Sequence, residues 1–321
     1  VVNNGFAFVA ADADGIQVWD LRNPQDPQPI ATNRAFYATR LRVSGNLALV
    51  TSEQQPSGGV DLLDLGNPVA TRWLGSIPVG YSTLGSSPVG AALEGTHAFV
   101  VLDDQLSVWD VSQRDQPRQT GSFQAQCFPA GVAVSGTNIV VFGAGLEILD
   151  GTELTELHRV GRVSLPGRCV EAVFRGDLLV VTTVENRQSH LRIIDLRLPH
   201  EPALLGQVLT TSGGTHLKLN GGYAYLAGEG GLEVFDIHDP RAPFRVGGNS
   251  APAWATGLDF VGDRAVVTRL GHLEVLAPFV PYIRLEAAAP PDADGFALRL
   301  RGTPNLEVRL QHSDDLRSWS E

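Results

Sequence analysis

A short apolar strand ending in aspartate recurs through the chain at a near-constant interval. It reads IQVWD to Asp20, VDLLD to Asp64, LSVWD to Asp110, LEILD to Asp150, LRIID to Asp195 and LEVFD to Asp236. A seventh copy, LEVLA, ends at Ala277 and lacks the aspartate. The intervals are 44, 46, 40, 45, 41 and 41 residues. A period this regular means one supersecondary unit repeated along the chain, and it excludes most folds at once.

Each unit reads as four strands. In the sixth, THLKLNG from Thr215 is a strand that ends in a tight turn. YAYLAGE from Tyr223 is the second, GGLEVFD from Gly230 the third, and RVGG from Arg245 begins the fourth. Alternating apolar residues, β-branched side chains and Gly, Asn, Asp and Pro punctuation support strands throughout, and no segment of useful length has helical periodicity. Four strands every 40–45 residues make a β-propeller blade, and seven third strands make seven blades. One four-stranded sheet cannot cover both of its faces. A ring of sheets packed face to face does so and leaves only short edges. The expected fold is therefore all-β: a seven-bladed β-propeller of four-stranded blades, followed by a short C-terminal β segment.

Val1 and Val2 align with the end of a first strand, just before the Asn4-Gly5 turn. The rest of that strand is expected upstream or from the C-terminal side, and the first is favoured. The repeat stops near residue 280. PYIRLEAAAPPDADG reads as a link, and GFALRLRGTPNLEVRLQ as two strands around a GTPN turn. The expected domains are residues 1–280, the propeller, and 281–321, a partial β-sandwich-like segment.

The stretch GGYAYLAGEGGLEVFDIHDPRAPFRVG, Gly221 to Gly247, closely resembles the LVIVD repeat of bacterial propeller proteins. So does FAFVAADADGIQVWDLRNPQDP from Phe6. The shared features are the aromatic-Ala-aromatic second strand, the GGL hairpin, the V-x-D third strand and the D-P-x-x-P turn. The third unit departs from it with Gln113-Arg114 in place of Asp-Pro, and the fourth and seventh lose the Pro turn. The resemblance implies a propeller commonly found in exported or cell-surface proteins, and no shared catalytic residues. LEVRLQHSDDLRSW is similar to a segment common at the ends of secreted bacterial proteins. WD40 repeats fit less well: only Trp19-Asp20 and Trp109-Asp110 spell that dipeptide, and Gly271-His272 falls in a hairpin.

Composition narrows the partners. Net charge is −11, and of the 24 basic residues only Lys218 is a lysine. With no basic cluster, nucleic acid and anionic membrane are not expected partners. No apolar run approaches the roughly 18–20 residues that a membrane helix needs. The D-x-D-G at Asp12–Gly15 spells half of a calcium loop, and DADG recurs at Asp292–Gly295. A calcium loop also needs ligands after the glycine, and IQVW supplies none. The stretch occupies the slot of a hairpin between second and third strands. The eight histidines form no H-x-H or H-E-x-x-H spacing, so neither metal nor cofactor is expected. GYSTLG from Gly80 has Leu84 where a nucleophile elbow requires glycine, and GAGLEI from Gly143 lacks the third glycine of a dinucleotide loop. Each repeated Asp reads as the acceptor of an Asx-type turn.

Two regions are left as candidate sites. Five residues before each inner-strand turn glycine stand Arg40, Gly90, Gly131, Glu171, His216 and Gly257. Three residues before it stand Arg42, Ala92, Ala133, Val173, Lys218 and Asp259. Arg40, Arg42, Glu171, His216, Lys218 and Asp259 are thus candidate binding residues in the central channel. Extra chain length falls at 52–59, 77–88 and 184–190, all on the face that carries the second-to-third and fourth-to-first connections. Insertions confined to one face often mark a binding side, with Tyr81, Leu84 and Trp254 as candidate contacts. Cys127 and Cys169 precede neighbouring inner strands on that face, and a disulfide between them is an expectation that requires Cα atoms within about 7 Å. The expected function is a non-enzymatic extracellular or cell-surface binding or scaffolding propeller. Its partner would be a protein, a surface glycan or a second copy. The alternatives are a propeller hydrolase or lyase working in the channel, and a structural subunit of a surface assembly.

Overall fold

The computed structural model describes residues 1–34, 37–51, 59–79, 90–249, 254–269, 272–277, 283–287 and 298–302. The chain divides into two compact units, Val1–Pro278 and Phe279–Glu321. In the first, seven antiparallel sheets follow one another in chain order. Six have four strands, and the seventh has three among the described residues. The inner strands are Val2–Asn3, Arg40–Ser44, Gly90–Glu94, Gly131–Ser135, Arg168–Arg175, His216–Asn220 and Gly257–Val261. Among the described residues no helix is long and apolar enough to cross a membrane.

The core lies between blades. In blades two to six the second and third strands are buried on both faces, as in Leu47–Thr51 and Val60–Asp64. Their side chains form successive clusters: Phe8, Val18, Leu41 and Val50 between blades one and two, then Leu62, Ile77, Val100 and Trp109 between two and three. The ring closes the same way. Ala7 and Leu21 of blade one pack against Val266 of blade seven. The backbone N–H of Val2 donates to Asp259 of the seventh inner strand at 2.8 Å. Sheet-to-sheet packing and one side-chain acceptor thus join first and last blades.

Each repeated aspartate does what its position implies. Asp20, Asp64, Asp110, Asp150, Asp195 and Asp236 each accept the backbone N–H two residues on, at 2.8–2.9 Å. In blades one to six the pairing of third and fourth strands slips by one residue just before this cap, as between Val18 and Trp19 or Ile193 and Ile194. The residue opposite the slip is Gly75, Gly121, Gly161, Gly206 or Gly247 in blades two to six, and Ala31 in blade one. A Cβ on Gly121 or Gly161 would sit inside the carbonyl oxygen of Leu154 or Pro199, in the next blade's turn. Glycine there lets neighbouring blades meet backbone to side chain. Where Ala31 replaces it, a cleft of about 180 Å³ remains, lined by Ala31, Asn33 and the Pro68–Thr71 turn.

Two sequence expectations change. The extra length at 184–190 is not a longer loop. It lengthens the second and third strands of blade five, Leu178–Glu185 and Gln188–Asp195. They meet in a two-residue turn whose Asn186 and Arg187 both have positive φ, the tight hairpin geometry that matches strand twist. In the second unit, Ile283–Ala287, expected as link, is a strand paired antiparallel with Leu298–Gly302. The second strand of the expected GTPN hairpin lies outside the described residues.

Candidate functional site: a charged channel beneath an aromatic face

Four of the six expected channel residues form two ion pairs that join blades. Arg42 of blade two lies 3.6 Å from Glu171 of blade five, and Lys218 of blade six lies 3.5 Å from Asp259 of blade seven. Blades two and five are not neighbours in the ring, so the first pair spans the channel. Arg42 is steadied by donating Nε–H to the Ala91 carbonyl of blade three at 3.2 Å. Arg40 and His216 complete the group, since Arg40, Arg42 and Lys218 all act electrostatically on both Glu171 and His216. In blades three, four and seven the outer slot holds glycine and adds no side chain.

Burial governs the titration here. It pushes the Glu171 carboxyl up from its ordinary value, while Arg42, then Lys218 and Arg40, pull it down. Burial also lowers His216 to about 4, with repulsion from Arg42, Arg40 and Lys218 acting the same way. His216 is therefore neutral near pH 7. The side chains of Glu171 and Asp259 are 21% and 20% exposed, so solvent reaches the group.

Above the channel, the connections into the inner strands are held by one slot of the repeat, three residues before the capping aspartate. In blade six, Glu233 accepts the backbone N–H groups of Thr211 and Ser212 and the Thr211 hydroxyl, each at 2.8 Å, and pairs with Arg245 at 3.0 Å. In blade four, Glu147 accepts the Gln126 N–H at 2.8 Å and pairs with Arg159. In blade five the slot holds Arg192, which donates to the Pro166 carbonyl at 3.2 Å. The side chain matches what the loop presents: a carboxylate meets N–H, a guanidinium meets C=O.

Among the described residues these connections carry two exposed aromatics. Phe128 is 80% exposed and Trp254 65%. Each stands three residues before its inner strand, and both have left-handed backbones, φ +46° and +62°. Gly213 occupies the same slot in blade six, with φ +75°. The loop around Phe128 is anchored by Ala144 N–H to the Cys127 carbonyl at 2.6 Å and Ala130 N–H to the Phe142 carbonyl at 2.7 Å. Trp254 and Ala255 donate to the Glu229 and Gly228 carbonyls at 3.3 and 3.2 Å. Trp254 was expected on this face. Phe128 was not, although its offset from Gly131 equals that of Trp254 from Gly257. Tyr81 and Leu84 lie outside the described residues.

The expected disulfide is not formed. Cys127 and Cys169 are free, buried thiols. They sit in different inter-blade clusters, three-four and four-five. Burial, and then Glu147, pushes Cys127 up to about 12, and burial pushes Cys169 higher still. Asp12–Gly15 is a hairpin turn in which Gly15, φ +78°, donates its N–H to the Asp12 carbonyl. Among the described residues no three metal-ligating side chains cluster.

Seven blades around a polar channel define the class, a seven-bladed β-propeller. Within it, the LVIVD repeat model matches residues 215–248, the sixth of the repeated units. No curated protein matches it. Solved structures share the fold at low identity. One, from Bacteroides uniformis and provisionally titled a 6-phosphogluconolactonase, is 13% identical with TM-score 0.71, covering 93% of this chain and 95% of that one. A functionally unknown protein from Desulfotomaculum acetoxidans is 12% identical with TM-score 0.64, covering 86% and 95%. A chain of the mitotic checkpoint complex is 12% identical with TM-score 0.67, covering 84% and 83%.

Proposed function

We propose that this chain is a non-enzymatic, exported binding propeller that engages a protein or surface glycan through the face carrying Phe128 and Trp254. The observation that carries the reading is the placement of these two aromatics. An exposed large apolar side chain in a left-handed backbone carries strain of about 1–3 kcal/mol with little burial to offset it. Blade six uses glycine at the same slot. Fixed, solvent-facing aromatics on anchored loops suit a partner surface. The resemblance to LVIVD-repeat proteins, commonly exported, supports the extracellular setting.

The test is Phe128→Gly with Trp254→Gly, assayed against a panel of cell-surface polysaccharides and the surface-protein fraction bound by the wild type. The expected result is binding weakened by about 100-fold or more, the range for two interface anchors, with thermal stability unchanged or raised. Retained binding, or a fall in stability of several degrees, would overturn it. A second reading, hydrolase or lyase chemistry in the channel, is favoured by a neutral His216 and a buried Glu171 that share the same three cationic neighbours, Arg40, Arg42 and Lys218. It would replace the first if a lactone or ester panel were turned over and His216→Gln abolished the turnover.

A further inference from the structure

We infer that the outer strand of blade five, Ala203–Thr210, is a docking edge for a second copy of this chain. It is the last strand of its sheet, and among the described residues no strand pairs with its free side. Such an edge offers a row of backbone N–H and C=O groups to any other strand, and folds blunt it with charge or proline. The other described outer strands do so. Arg72, Arg118 and Arg245 stand in blades two, three and six, Arg159 and Arg162 in blade four, and Pro29 in blade one. The strand of blade five reads ALLGQVLT and has neither. It runs eight residues where the others run six or seven, because the third strand it pairs with is itself lengthened.

Two of its leucines face solvent. Leu204, Gln207 and Leu209 pair with Ile194, Arg192 and His190, alternate residues of the third strand, so they share one face. Leu204 is 45% exposed and Leu209 52%, while Gln207 accepts Arg192 Nε–H at 3.0 Å. The occupant follows from charge. With a net charge of −11, two copies repel across most of their surface, and an uncharged edge is where contact is least opposed. The strand is also compatible with itself. Leu205 is the extra residue of the bulge, and Gly206–Thr210 pairs regularly beyond it. An antiparallel twofold centred on Val208 sets Val208 against its own copy, Gln207 against Leu209 and Gly206 against Thr210. Both members of each pair then point to the same face, and no charge meets its like. The two four-stranded sheets become one continuous sheet through an isologous contact. A single strand pair is smaller than the roughly 1,000 Å² of a stable interface, so the dimer is weak and concentration-dependent.

Sedimentation velocity on the full chain tests this, from micromolar concentration to about 1 mM, the range in which so small a contact associates. The expected result is reversible dimerisation within that range. Leu209→Lys and Leu209→Glu should each weaken it by about 10-fold or more, since two leucines leave the contact and like charges stand diagonally across it. The position is exposed, so each variant should keep its melting temperature within about 2 °C of the wild type. Mixed one to one, the two variants should recover a heterodimer, because opposite charges then stand across the same diagonal. Hydrogen exchange should slow at the amides of 206–210 as the wild type is concentrated, with the other outer strands unchanged. The Phe128→Gly, Trp254→Gly variant should dimerise as the wild type does, which separates this edge from the aromatic face. A wild type that stays monomeric throughout overturns the proposal, as does a dimer that both Leu209 variants leave intact. A monomer whose 206–210 amides slow only with the surface-protein fraction assigns the edge to a foreign strand and overturns self-pairing as well.

Discussion

Glu233 offers the sharpest test of how the channel and its outer face are held. Its side chain is 2% exposed, accepts three hydrogen bonds and forms an ion pair with Arg245. Oε2 takes both backbone N–H groups, of Thr211 and Ser212, while Oε1 takes the Thr211 hydroxyl and pairs with Arg245. Glu233→Ala strands two backbone N–H donors, at about 1–3 kcal/mol each and so roughly 3–5 kcal/mol together. Glu233→Gln has a better option. Its oxygen can occupy the Oε2 position and its amide nitrogen the other, where the Thr211 hydroxyl turns to accept. Only the ion pair with Arg245 is lost, and that side chain, 52% exposed, can turn to water. The cost falls to about 1–2 kcal/mol. At about 2 °C per kcal/mol for a domain of this size, the expected losses are roughly 6–10 °C for alanine and 2–4 °C for glutamine. Differential scanning calorimetry measures both, and limited proteolysis should show new cleavage at 211–215 in the alanine variant alone. Equal losses for the two variants, or an alanine loss under about 1 °C, would refute this account of the slot.

Gly161→Ala should lower thermal stability by several degrees because its Cβ meets the Pro199 carbonyl, an overpacking cost of about 1–3 kcal/mol, whereas Ala31→Gly, at the equivalent position beside an existing cleft, should change it by about 2 °C or less. His216 has its folded pKa depressed to about 4, so the unfolded chain binds the extra proton: its contribution is neutral above about pH 6.5 and destabilises increasingly as pH falls towards 4. Urea titrations from pH 7 to 4 should show that slope flattened in His216→Gln, and an unchanged slope would refute it. With both thiols free and buried, native protein without reductant should resist a thiol reagent such as dithionitrobenzoate, and unfolded protein should react at both cysteines; no reaction after unfolding would indicate a disulfide. Arg192→Glu should destabilise more than Arg192→Met, since a carboxylate would face the Pro166 carbonyl that Arg192 now serves.

What the sequence reveals here is whatever the blades have in common. The capping aspartates act alike in six blades because each needs only its own turn, two residues away. Counting back from the turn glycines locates Arg40, Gly90, Gly131, His216 and Gly257 at the first residue of their inner strands, because the length of that strand is part of the repeat. Blade five departs: its inner strand begins earlier, at Arg168, with a register shift between Cys169 and Glu171. The channel group was sought at two such offsets, five and three residues before the turn glycine, and the Arg42–Glu171 pair joins one of each.

What differs from blade to blade is hidden by the same periodicity. The slot three residues before the cap reads Gln17, Asp61, Ser107, Glu147, Arg192, Glu233 and Glu274, which looks like drift in a tolerant position. The structure shows choice instead. The loop beside Glu147 and Glu233 presents N–H groups, and the loop beside Arg192 presents a carbonyl. That polarity depends on how each connection folds over its neighbour, which no pattern within a single unit encodes. Phe128 was missed on similar grounds, because an apolar residue before a strand reads as core until the φ of its backbone is known. The two cysteines show the converse error: position on one face implied a bond, while burial in separate inter-blade clusters kept the thiols apart. In a ring of near-identical sheets, function is therefore to be sought where one blade breaks its own rule and the break costs stability that the fold does not need to lose.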